Sequence, residues 1–251
     1  MTDQAAPWTR PYFWRSASSA MLLYFVFGEF PKELKLDVTR YGSTGLPAGV
    51  TMQRFDKSAL AHWQGHPLRG ALGELLRNDD AETFKNARAA SECIMLRGEI
   101  DDPESLDYLR DTLGVMGALL DAGGKAIVDP QILALFSASA WRERYADGGA
   151  SIREHVLILA YDEDGGTWVR TRGLRKFARP DVSIRRVPQT EVERAGAIAL
   201  RLAELQAQGM RFVDGTALQA EGVPPGLIAH LGGSLNDPQF NNTHVEFVWP
   251  N

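Results

Sequence analysis

One cysteine, Cys93, in 251 residues excludes an intrachain disulfide and, with it, the stapled scaffold of small secreted domains. A reducing compartment suits such a chain, so a cytoplasmic location is the expectation. Long apolar runs are also missing. The longest near the start, Ala20 to Phe27, is eight residues, where a membrane-spanning helix needs about 20. Gly28, Glu29, Phe30 and Pro31 follow it rather than a small-residue cleavage site, so neither a membrane span nor a secretory leader is expected.

Assembled reactive chemistry is scarce. No G-x-x-x-x-G-K-[ST] occurs, no G-x-G-x-x-G follows a strand, and no kinase set is present, so no recognised phosphate-cradling loop is encoded. Gly42-Ser43-Thr44-Gly45 and Gly233-Ser234-Leu235 both fail the G-x-S-x-G nucleophile elbow. There is no C-x-x-C and no H-E-x-x-H. His62 and His66 are the one close histidine pair, and Gly65 and Pro67 interrupt the helix that would align them as ligands. Cys93 lies in an apolar stretch, where a thiol behaves as a small hydrophobe. No catalytic residue, metal or cofactor is assigned.

The chain has 44% hydrophobic and 24% charged residues with a net charge of −5, the balance of an ordinary globular protein. The charge is unevenly spread. Residues 1–90 carry eleven basic and nine acidic side chains, 91–150 five and eleven, 151–188 eight and five, and 189–251 three and seven. A negative total with one local basic block disfavours nucleic acid as a partner, because phosphate neutralisation needs a broad basic surface.

The hydrophobic pattern predicts an α+β (mixed α/β) chain with a central mixed sheet flanked by helices. Met21–Phe27 reads as a strand buried on both faces, and Leu34–Arg40, alternating apolar and polar, as its neighbour. Residues 48–90 predict one or two short helices and a loop. Glu92–Ile100 reads as a strand and Asp101-Asp102-Pro103-Glu104 as a helix start, with acidic groups facing the free amides. Leu106, Leu109, Leu113, Met116, Leu119 and Leu120 form the helix stripe. Gly123-Gly124 stops it, and a strand follows from Ala126.

Further on, His155–Ala160, Thr167–Thr171, Val182–Val187, Met210–Val213 and Val245–Trp249 read as strands and Glu191–Gln208 as a helix. Residues 119–133 laid over 204–218 at a shift of 85 give six identities in fifteen. That is the pattern of a repeated unit, or of two helices that stop in the same way. No Ser/Gly-rich linker divides the chain, which predicts one domain, 1–251, of two sub-lobes with a seam near 141–152.

The feature that stands out is Arg170, Arg172, Arg175, Lys176, Arg179, Arg185 and Arg186, seven cations against the single Asp181 in seventeen residues. If 167–171 is a strand, Trp168, Arg170 and Arg172 project from one face, with guanidinium groups near an indole. Arginine and tryptophan together are favoured at interface hot spots. Trp168, Arg170, Arg172, Arg175, Lys176 and Arg179 are therefore the candidate binding residues, displayed outward. The alternative is that they pair with the chain's own acidic stretch, 99–111.

The segments Val128-Asp129-Pro130 through Trp141, Thr171-Arg172-Gly173-Leu174-Arg175-Lys176-Phe177 through Ile184, and Asn236-Asp237-Pro238 through Phe247 resemble an uncharacterised bacterial family of unknown function. The resemblance covers residues 92–251. It implies an α+β fold, no activity, and a place among toxin, immunity or secretion-associated genes. The functional expectation is a non-enzymatic protein-binding module, of the immunity type that occludes a toxin or effector. The alternative is an enzyme acting on a small anionic substrate, with an arginine clamp and His155 or His244 as proton carrier.

Overall fold

A computed structural model describes residues 8–145, 149–220 and 222–250. The fold is α+β: among the described residues there are six α-helices and ten strands. The strands form two five-stranded sheets, not one central sheet. The chain divides into two compact units. Unit 1 holds Trp8, Met21–Ile100 and Ser105–Ala150; unit 2 holds Thr9–Ala20, Asp101–Glu104 and Ser151–Asn251. Among the described residues no helix is long and apolar enough to cross a membrane.

In unit 1, β1 (Ser19–Gly28) is the middle strand of five, as its uninterrupted apolar run requires. β3 (Glu92–Asp101) and β4 (Gly124–Asp129) flank it, with β2 (Val50–Phe55) and β5 (Ala134–Ser137) at the edges. β1 runs antiparallel to β4, Phe25 opposite Val128, and β2 antiparallel to β3, Val50 opposite Gly98. The predicted neighbour strand at 34–40 does not form. Leu34, Leu36 and Val38 are half-buried and Lys35 and Asp37 exposed, so the alternation is real. It reports which side is covered, not that a strand pairs there, and the segment ends in a 3-10 turn at Thr39–Tyr41.

Residues 48–90 hold β2 and three helices, α1 (Lys57–His62), α2 (Gly70–Asp79) and α3 (Ala81–Ala89). Asp56 and Asp80 cap α1 and α3 through the amides of Ala59 and Thr83. Leu60, Leu68, Leu76 and Ala87 pack with Phe25, Phe27, Cys93 and Val128 in one core. The helix after β3, α4, spans Asp107–Asp121, so residues 101–104 do not open it; they belong to unit 2. α5 (Ala138–Arg144) follows β5.

Unit 2 has the order β6 (Leu157–Glu163), β7 (Gly166–Arg172), β8 (Asp181–Val187), β10 (Asn242–Val248), β9 (His230–Ser234). β6, β7 and β8 run antiparallel in sequence, and β10 lies parallel to β8 with Val245 opposite Val182. A parallel neighbour requires a crossover, which includes α6 (Val192–Ala207), whose Ala195, Ile198, Ala199, Leu202 and Ala203 are buried.

The predicted strand at 210–213 is absent. From Gly209 to Ala229 the described residues form no strand beyond the isolated bridge Ala217–Ile228. This bears on the repeat. Gly123 (φ 120°) follows the C-cap of α4 and Gly209 (φ 107°) that of α6, a shift of 86 rather than 85. The helix ends correspond but the identities do not; both helices stop on a left-handed glycine.

Candidate functional site

The cationic stripe is not displayed outward. Arg170 and Arg172 are 7% exposed, Arg179 2% and Lys176 fully buried, with Trp168 buried among them; Arg175 and Arg185 are half-buried and Arg186 exposed. The sequence shows charge but not what covers it, and the covering groups come from distant segments. Gln239, in the connection between β9 and β10, accepts at its carbonyl from Nη1 of both Arg170 and Arg172. Asn241 O accepts from Arg175 at 3.1 Å, and His155 O from Lys176 Nζ at 3.3 Å.

Trp168 sits at the centre of a chain of ring contacts. Its centroid is 3.8 Å from the Arg185 guanidinium and 4.6 Å from that of Arg170. Arg170 also lies 5.0 Å from the Phe240 ring, and Phe240 stacks on His244 at 4.5 Å. Trp168 Nε1 donates to Ser183 Oγ at 2.8 Å. Glu163 and Glu246 hold Arg185 at 2.7 and 3.0 Å. Burial holds the Arg172 guanidinium below its ordinary range, with Asp181 opposing. Asp181, fully buried, accepts from Thr171 Oγ1, Leu174 N and Asn242 Nδ2, yet burial pushes its carboxyl up to about 6.

Arg179 closes a second knot. Asp102 takes Arg10 on Oδ1 at 2.7 Å and Arg179 on Oδ2 at 2.8 Å, all three side chains fully buried. Arg179 also donates to the carbonyls of Met210, Ala178, Trp14 and Gly209. A guanidinium has five N–H donors, and all are used. Burial lowers the Arg179 pKa, with Asp102 opposing and Arg10 adding to the fall. Two cations on one carboxylate leave one positive charge uncompensated. Sequence reasoning assigned Asp102 to a helix start and passed over Arg10; 92 residues separate this pair, and no local pattern signals it.

Beside this knot lies a cleft of about 340 Å³, lined by Ser16, Ser18, Arg179, Pro180, Arg211, Phe212, Leu231, Gly232, Gly233, Thr243 and His244. No carboxylate is among them. His244 lies across Gly232 and Gly233; a Cβ on Gly233 would sit 2.6 Å from its Nδ1, a buried nitrogen without a hydrogen-bond partner. Arg211 is exposed, donates to Arg15 O at 2.8 Å and lies 5.1 Å from the ring of Trp14. Trp14 and Tyr12 are each 55% exposed, Val213 52% and Leu231 48%.

His244 and two arginines thus converge on one concavity, the arrangement an arginine-clamp enzyme needs, but Arg179 has no donor left for a substrate. His155 is buried against Phe177 and does not line the cleft. Cys93 is fully buried, with its thiol pKa raised by burial. His62 ends α1, with its Nδ1 at Ser58 O, while His66 packs on Phe27 and Trp63. Among the described residues no cluster of three or more His, Cys, Asp or Glu could hold a metal ion. Neither a protein-family model, nor a curated protein, nor a solved structure matches the chain.

Proposed function

We propose that the chain is a protein-binding module that takes an acidic segment of its partner at the unit 2 cleft, without catalysis of its own. The observation that carries this is the exposed Trp14 under the Arg211 guanidinium, beside a concavity walled by cations and free of carboxylates. Tryptophan and arginine are enriched among the residues that dominate the binding energy of protein interfaces. Leu231 and Phe212 add apolar lining. Complementary charge would set partner choice and association rate. The immunity-type role implied by the family resemblance is one form of this reading, in which the acidic segment belongs to a toxin or effector.

Panning a random peptide library against the full chain tests it. Asp- and Glu-rich peptides are expected to be enriched, and each to bind Arg211→Glu and Trp14→Ala about tenfold or more weakly with the melting temperature unchanged. Enrichment without acidic bias, or affinity indifferent to both substitutions, overturns the proposal.

A further inference from the structure

Unit 1 contains a second cationic concavity, of about 250 Å³, to which Lys57, Arg69, Arg88, His66 and Ser91 contribute over an apolar floor of Phe27, Leu60 and Ala87. Lys57, Arg69 and Arg88 are all exposed, and no carboxylate lines the space. Among the described residues the hydrogen bonds of the two arginines go to backbone carbonyls. Arg69 reaches the carbonyls of Leu60, Ala61 and Trp63 at 3.2 to 3.3 Å, near the end of α1, and Arg88 reaches that of Leu68 at 3.5 Å. Three positive charges therefore share one hollow, and among the described residues no carboxylate lines it.

His66 is wired as a donor there. Its Nδ1 accepts from Leu68 N at 3.2 Å, which places the proton of the neutral ring on Nε2. Burial, then Arg69 and Arg88, lower its pKa, so the ring stays neutral at pH 7. Two guanidinium forks, an ammonium and a neutral imidazole suit an acceptor with several oxygens and more than one negative charge. A carboxylate would leave two of the three cations uncompensated, whereas a phosphate monoester carries about −1.5 to −2 at pH 7 and is matched by arginine forks. The volume is below the roughly 300–1,000 Å³ of drug-sized sites, which excludes a dinucleotide.

We infer that this hollow binds a small phosphorylated molecule through Lys57, Arg69 and Arg88, with Phe27, Leu60 and Ala87 beneath its organic part. Calorimetric titration of the full chain with inorganic phosphate, n-propyl phosphate and acetate, at constant ionic strength, tests this. Both phosphates are expected to bind saturably, propyl phosphate more tightly because its alkyl chain meets the apolar floor.

Lys57→Gln and Arg88→Gln are each expected to weaken both phosphates about tenfold, one charge-assisted contact at roughly 1.4 kcal/mol, with the melting temperature of the ligand-free chain unchanged. Arg211→Gln, in unit 2, is expected to leave both affinities as they are. Acetate binding as tightly as phosphate, no saturable phosphate binding, or affinities unchanged in Lys57→Gln and Arg88→Gln overturns the inference. Because the unit 2 proposal is read through Arg211 and Trp14, either can fail alone.

Discussion

Arg10 and Arg179 are held by the two oxygens of one carboxylate, Asp102, at 2.7 and 2.8 Å, with no side chain of the three reaching solvent. Removing one partner of a buried charge cluster costs about 3–5 kcal/mol, because the remaining charges stay buried and uncompensated. Asp102→Asn keeps the shape and removes the charge. Urea unfolding is expected to show a stability loss of that size, and a change below about 1 kcal/mol would mean that the backbone carbonyls alone hold the two guanidinium groups.

Charge reversal at Arg170 or Arg172 separates burial from display. Each side chain is 7% exposed and turned to the Gln239 carbonyl. Arg170→Glu places an anion against aromatic rings and a carbonyl oxygen, and Arg172→Glu an anion near Asp181. Both are expected to lower stability by about 3 kcal/mol or more, seen as a large fall in melting temperature. A variant that melts like the parent would return these residues to the surface.

Asp181 makes a pH prediction with a definite sign. Its carboxyl is raised from 3.8 to about 6 by burial, so the folded chain holds this proton more tightly than the unfolded one. The stabilisation is present below about pH 4 and lost as pH rises to about 6, roughly 3 kcal/mol in all. Asp181→Asn cannot titrate. The melting temperature of the variant relative to the parent is expected to climb between pH 4 and 6; a difference that stays constant over that range refutes the raised value.

Cys93 offers a reporter for unit 1. The thiol is fully buried and its pKa is raised by burial, and reaction with a disulfide reagent requires an accessible thiolate. Labelling at pH 7 is expected only through opening of the core, slow in buffer and accelerating steeply with urea. Prompt labelling of the native chain would show the cluster around Phe25 and Leu76 to be loose.

The elements legible from their hydrophobic spacing share one property: their pattern is set by the burial of their own side chains. The run in β1 and the α4 stripe bury what the spacing says they bury; the hairpin of β6 and β7 was legible from its polar glycine turn instead, since no residue of β6 is buried and β7 is buried along nearly its whole length. β2 and β9 were not legible. Only Val50 of β2 is buried and nothing in β9, His-Leu-Gly-Gly-Ser, is, so edge pairing leaves no hydrophobic trace. The binding residues failed for a related reason. Arg170 and Arg179 look like solvated charges in a linear reading because the groups that neutralise or cover them, Asp102, Gln239 and the carbonyls of Trp14 and Gly209, lie 30 to 165 residues away. Arg211 and Trp14 were missed because each stands alone in the sequence and only the fold brings them together.

Unit 2 is assembled from three separated stretches, Thr9–Ala20, Asp101–Glu104 and Ser151–Asn251. The ribosome therefore releases the first of them long before the rest exist: Arg10 must wait for Ala207, 197 positions later, before its Nε finds an acceptor. Closing so long a loop is an entropic toll that a late contact must overcome, and until then two cations, Arg10 and Arg15, and three aromatic rings, Tyr12, Phe13 and Trp14, stand idle. Completion of this unit thus waits on its last stretch, and a protease cut after Ala150 would sever its sheet from the other two stretches.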